Sequence, residues 1–244
     1  LEQLRSGDIT AELAALPDGC TCIINATSRK DLDVLSHALY QSERQFIFRS
    51  AASFVQSFAG ITSRPPLESW QMQDLDPNPN GGLIVVGSLD SKTSDQLADL
   101  LENAPDAVVM ELDVPSLVSG ETPELPLHET IASGKTVILH TSRERIEVDD
   151  NLALSETVSK ALVALVKSVK ARPSFIIATG GMTASEIATQ ALGIKNARVL
   201  GQILPGVPVW TMGNETRHPG LVYVIFPSNV GGDDELTQAY LKLK

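Results

Sequence analysis

The residues best suited to chemistry are three glycine-bearing turns. In Phe175-Ile176-Ile177-Ala178-Thr179-Gly180-Gly181-Met182-Thr183 an apolar run ends in two glycines, and helix-forming sequence follows. Glycines let backbone N–H groups approach an anion with no Cβ in the way. A helix start adds unpaired N–H donors and the positive end of the helix dipole. Gly87-Ser88 ends a second apolar run ahead of a helix pattern, and Ser228-Asn229-Val230-Gly231-Gly232 ends a third. Each of these turns also suits plain strand–helix packing. Three of them in one unit point to an anionic ligand such as a nucleotide.

Other chemistries are disfavoured. Ser133-Gly134-Lys135-Thr136 has the tail of a P-loop, but Glu129 stands where the first glycine belongs, and the lysine opens a strand instead of a helix. Around Lys92, Val86 and Ser91 occupy the two glycine positions. No Gly-x-Gly-x-x-Gly follows a strand, which disfavours a dinucleotide oxidoreductase. No Gly-x-Ser-x-Gly elbow is present, so a serine hydrolase is disfavoured too. His37, His128, His140 and His218 lack the partner spacing of a zinc site. The acid pairs Asp149-Asp150 and Asp233-Asp234 flank helices, where helix-end charge explains them. Cys20 and Cys22 are two apart on an apolar run, so as strand residues they share a face. That spacing predicts two buried thiols and fits a reducing, cytoplasmic setting.

Elements that would position these turns follow from the apolar periodicity. Strands are predicted at Thr21–Asn25, Phe46–Phe48, Leu83–Val86, Ala107–Leu112, Thr136–His140, Ser174–Ala178 and Leu221–Phe226. Helices are predicted at Asp31–Tyr40, Ala51–Phe58, Ser91–Glu102, Glu121–Ser133, Leu152–Lys170, Thr183–Leu192 and Asp233–Leu243. Capping boxes are expected from Thr93 with Gln96 and from Thr183 with Glu186. The alternation predicts an α/β fold of three layers, with a mainly parallel or mixed sheet and helices on both faces. Pro65, Pro66, Pro77, Pro79, Gly81 and Gly82 mark a linker at 63–82 between domains at 1–62 and 83–244.

The 244 residues leave room for one large domain or two small ones. Apolar residues make up 43% and charged residues 20%, which excludes a disordered chain. The net charge of −11 disfavours general binding to nucleic acid or anionic membranes. No apolar stretch reaches the roughly 18 residues of a membrane span. The first five residues, Leu1-Glu2-Gln3-Leu4-Arg5, have no apolar signal-peptide region and no initiator Met, as expected for a fragment or processed piece.

The motifs also form an ordered series: Arg49-Ser50-Ala51-Ala52-Ser53-Phe54-Val55, Gly87-Ser88 followed by Thr93 and Gln96, Gly180-Gly181-Met182-Thr183, Pro205-Gly206-Val207-Pro208, and Asn229-Val230-Gly231. That series resembles the four-carbon acid sugar kinase family. It is most similar to the branch with His218-Pro219-Gly220 and Phe226-Pro227-Ser228-Asn229-Val230-Gly231. The resemblance implies transfer of the ATP γ-phosphate, with Mg²⁺, to a hydroxyl of threonate, erythronate or an oxo-tetronate. It implies that Ser88, Gly180, Gly181, Met182, Thr183, Gly206, Asn229 and Gly231 hold ATP. Arg49 and Ser53 would lie in the tail of an acid-sugar-binding domain. The implied partners are a small-molecule sugar acid and the N-terminal domain of the same protein, and a homodimer is compatible with the sequence. The alternative is a non-catalytic nucleotide- or phosphosugar-binding module.

This chain departs from the family pattern in three places. The Asp-Asp-x-Thr-Gly segment that carries the family's catalytic acid is absent, so no catalytic residue is assigned. Met182 replaces a carboxylate that would orient Mg²⁺ or ribose, and Phe226 stands where many members have a lysine.

Overall fold

The computed structural model describes residues 2–5, 9–73, 78–88, 90–121, 123–143 and 151–244. It divides into two compact units, Leu1–Arg64 and Pro65–Lys244.

The first unit is helical. Leu13, Leu35, Ala38, Leu39 and Phe54 form its core, and the rings of Tyr40 and Phe58 stack 4.6 Å apart at its edge. The Arg29–Gln41 helix begins with a complete capping box. Ser28 accepts from the Asp31 amide, and Asp31 accepts from the Ser28 amide. Asp31 is 3% exposed and takes two further bonds from Arg5, at 2.8 and 3.0 Å. Those bonds, and the Thr27 amide after them, hold its carboxyl well below the usual carboxylate range. A depressed folded pKa stabilises fully above the unfolded value and is lost as the pH falls. The first unit should therefore lose stability below about pH 4. Asp31→Asn should lower its stability at neutral pH and flatten that acid limb in a titration followed by amide NMR. An unchanged limb would mean that the carboxylate is not its source.

Two predicted strands are corrected here. Thr21–Asn25 and Phe46–Phe48 join no ladder among the described residues. A strand needs a neighbour for its N–H and C=O groups. Ile23 and Ile47 are exposed, and so are Cys20 and Cys22, so the expected buried thiols are not found.

The second unit is a seven-stranded mixed sheet with helices on both faces, as the alternation predicts. Its strands are β1 (Leu83–Val86), β2 (Val108–Leu112), β3 (Val137–Thr141), β4 (Phe175–Thr179), β5 (Ala197–Leu204), β6 (Val207–Met212) and β7 (Val222–Phe226). Their order is β2-β3-β1-β4-β7-β6-β5. The first five in that order are parallel, and β6 and β5 close the sheet antiparallel. Period-two alternation sorts each central strand between two cores. Leu83, Val85, Val137, Leu139, Ile176 and Ala178 face the Asn151–Ser168 helix side. Ile84, Val86, Ile138, Phe175 and Ile177 face the side of the Ser91–Asn103 and Glu235–Leu243 helices. All four β1 side chains are fully buried, each contributing about 1.5–3 kcal/mol, so the strand that leads into Gly87-Ser88 is firmly anchored.

The antiparallel strands β5 and β6 had no clear pattern in the sequence. Pro205-Gly206 joins them in a tight turn, with Gly206 at φ +82°, which favours glycine at the third position after proline. The helix expected at 121–133 is reduced to Leu127–Ala132, because Pro123 and Pro126 interrupt it, and a short helix forms at Val114–Val118 instead. Leu67 and Met72 of the proline-rich stretch pack against the sheet unit. The Leu67 amide donates to the Gln202 carbonyl at 2.7 Å, and Met72 is buried.

Candidate functional site

Parallel register brings the three turns to one edge. Val86 is level with Thr179, and Thr179 with Phe226. The residues that follow, Gly87-Ser88, Gly180-Gly181 and Pro227 onward, therefore leave the sheet side by side at the carboxyl ends of β1, β4 and β7. Ligands of open α/β sheets bind at this edge.

Local contacts tighten the grouping. The Gly180 amide donates to the Phe226 carbonyl at 2.9 Å. Gly180 has φ +84°, and a Cβ there would lie 3.7 Å from the Ser88 Cβ. A Cβ on Gly87 would meet Thr183 Oγ1 at 3.2 Å, so Thr183 backs the first turn. A Cβ on Gly206 would touch Val230 at 3.4 Å, which puts the β5–β6 turn beside the β7 turn. Gln96, fully buried, donates to the carbonyls of Val230 and Gly232, both at 3.0 Å. Ser88, Gly180–Thr183, Gly206 and Asn229–Gly231 thus lie near one another along one edge of the sheet. Arg49 and Ser53 belong to the first unit, where both are exposed.

Neither expected capping box forms. The helices start at Ser91 and Gly181, so Thr93 and Thr183 are third residues inside them rather than caps. Thr93 is fully buried, Gln96 reaches the β7 turn, and Glu186 accepts from Ser159. The helical run from Gly181 continues through a π turn at Ile187–Ala191. Tyr223 anchors it by donating to the Ala184 carbonyl at 2.6 Å, and burial raises the Tyr223 pKa, so the phenol keeps its proton. Met182 is 58% exposed, whereas Phe226 is fully buried in the core. His218-Pro219-Gly220 forms the turn into β7, with the Leu221 amide on the His218 carbonyl at 3.1 Å. Burial, and then the charges of Arg217 and Arg172, hold the His218 pKa below its ordinary value.

The same edge holds buried polar atoms that lack a partner. Thr179 Oγ1 at the end of β4 and Thr141 Oγ1 at the end of β3 are two of them, and Thr93 Oγ1 is a third. Buried hydroxyls in folded proteins are almost always paired, so these three leave hydrogen-bonding capacity at this edge for a water or a ligand. Serial N–H groups at a helix start, glycine turns and orphaned hydroxyls fit a phosphorylated ligand. Among the described residues no group of three or more His, Cys, Asp or Glu is placed to hold a metal. Asp90 accepts from Ser88 Oγ at 3.1 Å, which places a carboxylate at the first turn. A cavity of about 760 Å³ lies at the opposite, amino edge, lined by Gly81, Lys135, Thr136, Ser174, Phe175 and Lys244. Lys244 there is paired with Asp106 at 2.8 Å. No described helix is long and apolar enough to cross a membrane.

Comparison with known proteins follows the same lines. Residues 83–236 match the model of a family described as a nucleotide-binding C-terminal domain. No curated protein gives a significant match. Among solved structures, a Haemophilus influenzae protein of the DUF1537 family is similar with a TM-score of 0.59 at 18% identity, over 90% of this chain and 53% of that one. A DUF1537 domain from Bordetella bronchiseptica, a domain-swapped dimer with bound citrate, is similar with a TM-score of 0.51 at 18% identity, over 89% and 50%. A Salmonella typhimurium protein carrying a provisional tRNA synthase name is similar with a TM-score of 0.53 at 18% identity, over 88% and 51%. At these identities the likeness is one of fold. The chain spans about half the length of the structures it matches.

Proposed function

Since the chain belongs, through residues 83–236, to the family of nucleotide-binding C-terminal domains, we propose that it is the ATP-binding portion of a kinase acting on a four-carbon sugar acid. The observation that carries this reading is the register-aligned edge at Val86, Thr179 and Phe226, where glycine turns, a helix start and orphaned hydroxyls converge. The backbone amides of Gly181, Met182 and Thr183 would hold phosphate oxygens, with Ser88 on one side and the Asn229–Gly231 turn on the other. When bound, ATP would supply the phosphoryl group, and Mg²⁺ would offset the charge of its phosphates. The chain's own part is positioning and fixed electrostatics, with Asp90 able to orient the metal through its water shell. The citrate of the Bordetella domain and its dimeric state support an acidic small molecule and a second copy as partners.

Thermal shift with ATP, ADP and NAD, each with and without Mg²⁺, tests the reading. ATP and ADP should stabilise by about 2.7 kcal/mol at a hundred times Kd, and NAD should not. Stabilisation by NAD alone would overturn it.

The exposed Met182 favours a second reading, a nucleotide-binding module without transfer activity, because the carboxylate that would help with the metal is gone. Met182→Asp should make ATP binding more dependent on Mg²⁺ in a calorimetric titration. An unchanged Mg²⁺ dependence would place that side chain outside the metal's reach.

A further inference from the structure

Arg143 follows the end of β3, next to β1 in the sheet. Its Nη1 donates to the backbone carbonyl of Ser88, which fixes one end of the guanidinium. Its Nε and Nη2 are buried and have no hydrogen-bond partner. Those two atoms form one edge of the guanidinium, whose parallel N–H bonds match two oxygens of a phosphate or carboxylate. The carboxylate that acts on Arg143 electrostatically is Glu111, which is 55% exposed at its side chain and lies 3.8 Å from His140. Burial of an unpaired charge is costly, and an arriving anion removes that cost. Two of the orphaned hydroxyls flank the same place. Val86 is level with both His140 and Thr179, so Thr141 and Gly180 continue those rows on either side of Gly87.

The two ends of this edge differ. The β3 end carries Arg143, with the carboxylates Asp90, on Ser88, and Glu111 beside it. The β7 end carries Val230 and Gly206, followed by Asp233, Asp234 and Glu235. The two ends are three strand spacings apart, about 14 Å. The open edge of the Arg143 guanidinium favours an anion at the first end, whereas the acids of the second repel one and Val230 offers an apolar contact instead.

We infer that Arg143 is a phosphate-binding residue: its Nε and Nη2 take oxygens of the nucleotide's phosphate chain, which runs from the Gly180 turn toward β3, leaving the base on the Val230 side. This rests on the nucleotide reading above. It adds a residue outside every motif of the sequence, and it orients the ligand.

Calorimetric titration of wild type, Arg143→Met and Arg143→Lys with ATP, ADP, AMP and adenosine tests it. Arg143→Met should weaken ATP by roughly ten- to a hundredfold, as expected for loss of a charge-assisted pair, and leave adenosine unchanged. Arg143→Lys keeps the charge but loses the fork, so its loss should be smaller and again grow with phosphate number. Should Arg143→Met fail to fold, the lysine variant carries the test alone. Equal losses for ATP and adenosine, or no loss in either variant, would overturn the assignment. Wild type that binds none of the four ligands would instead overturn the nucleotide reading itself, and the assignment with it.

Discussion

Gly181→Val should abolish nucleotide binding while leaving the fold intact. Gly181 opens the helix after β4, and a Cβ built there has no atom within 4 Å. Its φ lies outside the left-handed region, so valine meets no backbone penalty. The added Cβ is sterically neutral in the free protein. It becomes harmful only if a ligand needs that space, because the β-branched side chain would stand where a phosphate approaches the amides of Gly181 and Met182. Loss of two charge-assisted bonds at about 1.5–3 kcal/mol each corresponds to a drop of a hundredfold or more in ATP affinity. Calorimetry with ATP, beside a far-UV spectrum and a melting curve, measures both halves of the expectation. Native affinity in a folded Gly181→Val would move the phosphate away from this turn.

Gly81→Ala should do the reverse and destabilise the second unit whatever ligand is present. A Cβ on Gly81 would lie 1.9 Å from the Lys135 carbonyl oxygen and 2.7 Å from the Thr136 amide nitrogen. Both are backbone atoms at the start of β3, so relief requires moving a central strand. The Gly81 amide is also bonded to the Ile131 carbonyl at 2.8 Å, and its carbonyl accepts from Ser174 at 3.1 Å, so the segment is held from both sides. Overpacking of this kind costs about 1–3 kcal/mol, and a clash with backbone belongs at the upper end. Gly82→Ala meets the Phe175 ring at 2.2 Å and should cost less, since a ring edge can shift where a carbonyl cannot. Urea titrations of the two variants should rank Gly81→Ala as the less stable. The opposite ranking would mean that the β3 backbone yields more easily than the Phe175–Tyr240 packing.

These glycines show where the sequence misleads. Gly81-Gly82, among prolines, reads as flexible punctuation, yet both are places where strands approach too closely for a Cβ. Local composition reports the freedom of a glycine but not the neighbour that demands it. The central strands were legible because each is a short apolar run between turn residues, and burial on both faces requires such a run. Strands β5 and β6 were not. Val199 is exposed, Gly201 interrupts the run, and the register shifts twice, so neither alternation nor a continuous apolar stretch survives. The runs Thr21–Asn25 and Phe46–Phe48 carry a strand's composition without a partner among the described residues. Composition states what a segment prefers, and pairing decides what it becomes.

At the carboxyl edge, the glycine turns were readable because their backbone requirement is written in residue type. Thr93 and Thr183 were readable as polar residues near helix starts but not as residues facing inward, since each helix begins three residues earlier than the capping pattern predicts. Arg143 carries no sequence signal at all. Its interest lies in two guanidinium nitrogens left without acceptors, which becomes visible only once β3 is set beside β1. The acid pair Asp149-Asp150 lies outside the described residues.

A nucleotide at the carboxyl edge of this sheet should be visible in amide chemical-shift mapping of the isotopically labelled chain during titration with ATP and Mg²⁺. The largest changes should fall on Ser88, Gly180 to Thr183, Asn229 to Gly231 and the Arg143 side-chain N–H. Changes centred instead on Gly81, Lys135, Ser174 and Lys244, around the cavity at the amino edge, would contradict it.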